Sequence, residues 1–71
     1  MKENLYELAK KYIEVIVEIE KTTDIQKLHM LEEKRVELHG EWLDMLTAQG
    51  IRFHDREHAT KIAYKIVRGK L

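Results

Sequence analysis

The chain predicts an all-α fold: a small three-helix domain, built as an α-hairpin plus a shorter third helix, that pairs with a second copy into a helical bundle. Three observations lead there. The 71 residues include no proline and 37% are charged, and the apolar residues recur mainly three and four apart, the spacing of helix faces. The stretch Tyr12-Ile13-Glu14-Val15-Ile16-Val17-Glu18-Ile19, read as helix, leaves only a narrow polar stripe. A single domain of this size buries only about 60% of the surface its unfolded chain exposes, and the absence of cysteine removes disulfides as reinforcement. Self-association is the expected remedy.

The first helix is expected over residues 2–21. Glu3, Glu7, Lys10, Lys11, Glu14, Glu18 and Lys21 form one polar strip. Leu5, Leu8, Tyr12, Val15, Ile16 and Ile19 make one apolar face, and Tyr6, Ala9, Ile13 and Val17 make a second. A helix apolar around most of its circumference has to be covered on both sides, so Tyr6, Ile13 and Val17 are assigned to a partner or dimer contact. The β-branched alternation at Ile13, Val15, Val17 and Ile19 is also a strand signature. Only residues 51–53 could pair with such a strand, and an isolated strand is not stable.

Thr22-Thr23-Asp24 interrupts the pattern, and Thr23 followed by Gln26 has the spacing of a capping box. The second helix is expected over 24–48, with Ile25, Leu28, Leu31, Leu38, Trp42 and Met45 as a heptad-spaced stripe and Gly50 as its stop. Gly40 lies within it, although glycine weakens a helix interior by ~1 kcal/mol relative to alanine. Gly40 calls either for a neighbour packed closely on it or for a break with the helix resuming at Glu41, and because the stripe keeps its phase from Leu38 to Trp42 the expectation is a continuous, closely packed helix. Arg35 occupies the stripe where an apolar residue belongs. It either fixes register with a partner or lays its stem along the seam and reaches Glu32. Arg35 and Trp42 join the expected partner-binding set, although Trp42 reads most simply as core. His29 and His39 are expected on the exposed flank.

Ile51-Arg52-Phe53 reads as a short extended link, and Asp55 as the N-cap of a third helix over 55–68 that ends at Gly69. Ala59, Ile62, Ala63, Ile66 and Val67 should face inward, with Lys61, Lys65 and Arg68 as the outer row.

Composition narrows the function. With no cysteine and no serine, no glycine-rich phosphate loop and no evident carboxylate pair in an apolar setting, no catalytic constellation emerges. The expectation is a non-enzymatic protein without a cofactor. His54 and His58 stand four apart beside Asp55 and Glu57, but a metal site needs about four converging ligands and this short cluster reads first as surface histidines. The charge is uneven: residues 1–50 carry 7 basic and 11 acidic groups, net −4, while 51–71 carry 6 and 2, net +4. That basic tail offers an alternative, a nucleic-acid-binding regulator using Arg52, Arg56, Lys61, Lys65, Arg68 and Lys70, though the excess is modest for such a role. The N-terminus lacks a secretory layout and no apolar run reaches the roughly 20 residues of a membrane span, so the expected setting is cytoplasmic, away from membranes. The leading reading is a protein-binding or regulatory module acting through helical packing on a partner protein.

Overall fold

A computed structural model describes residues 4–69, which form three helices: α1 Leu5–Lys21, α2 Ile25–Ala48 and α3 Arg56–Val67. There is no strand among the described residues. The alternating stretch in α1 is helical, as its flanking Leu, Glu, Ala and Lys residues favour. Helix 1 packs on both α2 and α3, while α2 and α3 approach each other much less. The two apolar faces of α1 are thus covered, through most of its length, from within the chain.

Side chains set the helix starts. Asn4, extended, accepts the Glu7 N–H at 2.8 Å and fixes the start of α1 at Leu5, three residues later than expected. Residue 2, Glu3 of the polar strip and Lys70 lie outside the described residues. At α2, Asp24 is the cap in place of the Thr23–Gln26 box, its Oδ1 accepting from the backbone N–H groups of Gln26 and Lys27. A carboxylate facing the positive end of the helix is the better acceptor for those free donors. Asp55 caps α3 as expected, accepting from His58 N–H at 2.8 Å.

Helix 2 stops in a Schellman arrangement. Gly50 takes φ 73°, a conformation that glycine adopts without strain, its N–H reaches Thr47 O at 3.1 Å, and Ile51 N–H reaches Leu46 O at 2.9 Å. Helix 2 runs unbroken through Gly40. The expected close neighbour there is absent: a Cβ built on Gly40 meets nothing within 4 Å.

The core comprises Leu8, Ala9, Tyr12, Ile13 and Val15 of α1, Leu38, Trp42 and Leu46 of α2, and Ala59, Ile62 and Ala63 of α3. On α3 the inward row is as read, with Ile66 and Val67 half-buried beside it. On α2 the stripe is corrected at both ends. Ile25 is 72% exposed, and Leu46 in place of Met45 completes the buried row, which steps by four from Leu38 through Trp42. Trp42, wholly buried, donates its indole N–H to Ala59 O at 2.8 Å, a direct link from α2 to α3.

Candidate functional site

Since α2 and α3 lean separately on α1, a groove of about 420 Å³ remains between them, lined by Tyr12, Arg35, Val36, His39, Gly40, Leu43, Arg56, Glu57 and Thr60. Tyr12 is its contribution from α1. The open space at Gly40 belongs to it, and exposed Val36 and half-buried Leu43 supply apolar edges.

A hydrogen-bonded chain joins the three helices at this groove. Tyr12 Oη bonds His39 Nδ1 on one side and, at 3.0 Å, Thr60 Oγ1 on the other. Thr60 Oγ1 also donates to Arg56 O at 3.1 Å. A carbonyl oxygen can only accept, so satisfying every link fixes the direction of the whole chain. Thr60 donates to Arg56 O, Tyr12 donates to Thr60, and His39 donates from Nδ1–H to Tyr12. The histidine therefore carries a proton on Nδ1. Its Nε2 is buried and has no hydrogen-bond partner among the described residues. Burial, and then the positive charges of Arg56 and Arg35, push the His39 pKa below its ordinary value of 6.5, because a second N–H there would be charged, dry and close to two guanidinium groups. His29 sits on the exposed flank as expected. His39 does not, because its position on α2 turns it toward Tyr12.

The two arginines differ in how far they are committed. Arg35 sends Nε and Nη2 to Glu32 Oε2 at 3.2 and 2.9 Å, so its side chain takes the snorkelling course along the seam. Arg56, the first residue of α3, makes no ion pair among the described residues. It stands at the positive end of the helix dipole, where a cation is disfavoured.

The residues expected to bind a partner separate. Ile13 and Trp42 are buried within the chain's own core, so neither offers surface to another molecule. Tyr6 is 48% exposed and Val17 half-buried. Arg35 alone of the five lines the groove. The basic set separates too. Lys61, Lys65 and Arg68 flank Tyr64 on the outer side of α3, the Arg68 guanidinium lying 5.6 Å from the Tyr64 ring centroid, and Lys61 approaches Glu57 at 4.0 Å. Arg56 turns into the α2–α3 groove and Arg52 lies on the link beside Phe53.

His54 and His58 form a local unit. Their rings stack with centroids 4.8 Å apart, and His58 Nδ1 accepts the backbone N–H of His54 at 3.0 Å. One imidazole nitrogen is thereby committed to the backbone. No group of three or more metal-ligating side chains comes together among the described residues, and no helix there is long and apolar enough to cross a membrane.

Sequence reasoning missed the groove because its polar members, Tyr12, His39 and Thr60, come from three helices. The one local signal was Gly40, a helix-weakening residue in mid-helix. Comparison with protein-family models, with curated proteins and with solved structures finds no match for this chain.

Proposed function

We propose that this chain is a small non-enzymatic module that binds a partner protein by receiving a helix in the groove between α2 and α3. One observation carries the reading: the space beside Gly40 is open. Glycine there weakens α2 by ~1 kcal/mol relative to alanine, and no close contact within the chain requires it. Val36 precedes Gly40 by four residues and Leu43 follows by three, so their apolar side chains flank a notch at the spacing that accepts a ridge from a second helix. Such a module regulates by occupying a surface of its partner.

The test is selection of amphipathic helical peptides from a library on the full-length chain, followed by mapping of backbone amide shifts. Shifts confined to the segments 35–43 and 56–60, lost in Gly40→Leu, are the expected result. Leucine there fills the notch without entering the core and is the better helix former, so the variant should keep or raise its thermal midpoint. Selected peptides that ignore Gly40→Leu, map onto the Lys61–Arg68 side, or never emerge from the library all overturn the proposal.

Homodimer formation has a narrower basis. Exposed Ile25 and Met30 on α2, near half-buried Val17 in the hairpin, are apolar surface that a second copy could cover. Light scattering at micromolar concentration tests it, with Met30→Glu expected to shift a dimer toward monomer. Nucleic-acid binding keeps as its basis the Lys61, Lys65, Arg68 and Tyr64 surface. Lys61 is offset by Glu57, so the expected binding is no tighter than the ~10⁻⁴ to 10⁻⁶ M of non-specific association, readable by mobility shift.

A further inference from the structure

We propose that the α2–α3 groove selects a partner helix that presents an acidic side chain, its carboxylate held between Arg35 and Arg56. The proposal rests on the docking reading above and specifies its chemistry. Arg56 is the clearest sign. Arg56 lines the groove yet has no ion pair among the described residues, and it stands at the end of α3 where the helix dipole already favours an anion. Arg35 lines the same groove and uses Nε and Nη2 on Glu32, leaving Nη1 available. Planar guanidinium donors match a carboxylate well.

Arg35, His39 and Arg56 share the lining of the groove. Both arginines act to disfavour the protonated form of His39, after burial itself, so positive potential from α2 and α3 falls on one place. The groups facing His39 are Tyr12 from α1, Arg35 from its own helix with Glu32 behind it, and Arg56, Glu57 and Thr60 from α3. The charged form of the histidine is disfavoured there, with Nδ1–H bonded to Tyr12 and Nε2 buried without a partner among the described residues. It acts as a strut. Through Tyr12 and Thr60 the chain ends on the Arg56 carbonyl and holds the first turn of α3 against α1.

A single carboxylate suits this groove better than a polyanion. Glu57 shares the lining, Glu32 lies behind Arg35, and Val36 and Leu43 form apolar edges. A nucleic-acid strand, with a charge every ~3.4 Å, would place further phosphates against those carboxylates and apolar side chains. A helix carrying one Glu among leucines meets each feature with its complement.

The test uses an alanine-based helical peptide with Leu at i and i+7 and Glu at i+4, its Gln twin, and short single-stranded DNA as a competitor, all with the full-length chain. The Glu peptide should bind about tenfold tighter or more than the Gln twin, the ratio expected of charge-assisted hydrogen bonds. Arg56→Gln should erase that preference, leaving the two peptides equal in affinity, while the thermal midpoint stays in place, since the Arg56 side chain makes no other described contact. Bound carboxylate should also raise the His39 pKa, read from its imidazole resonances, by offsetting the two guanidinium charges. Equal affinity for the two peptides, or a preference that survives Arg56→Gln, overturns the carboxylate assignment while leaving helix docking intact. Failure of both peptides to map to the groove overturns docking and this inference together. Displacement of the Glu peptide by DNA at physiological salt assigns the arginines to phosphate and also overturns it.

Discussion

The two halves of α2 carry similar apolar stripes and meet different fates. In the C-terminal half, Leu38, Trp42 and Leu46 are buried; in the N-terminal half, Leu28 and Leu31 are half-buried and Ile25 and Met30 stand in solvent. Periodicity is equally good in both. The difference lies in the number of neighbours. The C-terminal half has α1 beside it and a link to α3 through Trp42 and Ala59, whereas the hairpin end draws its cover from the last turns of α1, where Ile16, Val17 and Ile19 are themselves half-buried. Helical spacing thus identifies which face a helix would bury, and the third element decides how much of that face is covered.

The widest separation between the halves should appear in truncations. Trp42→Ala is expected to lose ~3–5 kcal/mol by cavity formation, a large fraction of the stability of a small domain, whereas Ile25→Ala should stay within ~0.5 kcal/mol. Urea unfolding followed by circular dichroism measures both, since Trp42 is the only tryptophan and its fluorescence would be lost. If Trp42→Ala proves unfolded, Trp42→Phe keeps most of the volume and should still lose ~0.5–1.5 kcal/mol with the indole bond to Ala59 O. Similar losses at residues 25 and 42 would break the comparison.

A second prediction asks whether the covered half depends on hydrogen bonds as well as packing. Tyr12→Phe removes the group that accepts from His39 and donates to Thr60, and should destabilise by ~1–3 kcal/mol because the His39 Nδ1–H loses its acceptor in a half-buried place. A neutral Tyr12→Phe in the same urea assay would mean that the chain from His39 to Arg56 contributes nothing to stability.

Gly40 lies between the two halves and should respond in the opposite direction. With nothing within 4 Å of its built Cβ, Gly40→Ala should stabilise by up to ~1 kcal/mol through helix propensity. A lower thermal or urea midpoint in this variant would place an unseen constraint at the junction.

The smallest effect is a dependence on acid. The folded pKa of His39 lies below its ordinary value of 6.5, so above that pH the residue is neutral in both states and its contribution is fully present. As pH falls through 6.5 the unfolded chain takes up the proton first, and stability declines toward the lower folded pKa. The urea midpoint should therefore drop on acidification more in the native chain than in His39→Gln. Identical pH profiles would show that the folded chain does not disfavour the charged form of His39.

Much of the fold was readable from local pattern. The number and order of helices, the Asp55 cap, the stop at Gly50, the inward row of α3 and the two apolar faces of α1 all depend on residues a few positions apart. The caps at Asn4 and Asp24 were misassigned or missed because several neighbouring polar residues compete for the same free backbone donors. The candidate site depends on longer distances. Tyr12 meets His39 across 27 residues and Thr60 across 48, and no local spacing encodes those contacts. Arg56 looked like one member of a basic row until the rotation of α3 turned it into the groove, apart from Lys61, Lys65 and Arg68. What the sequence by itself determined is the set of helices and the faces they would bury, because helical geometry repeats every 3.6 residues. Only the tertiary structure decided which face was covered, which histidine met Tyr12 and where an open notch remained, because those depend on how three helices cross and where each one ends.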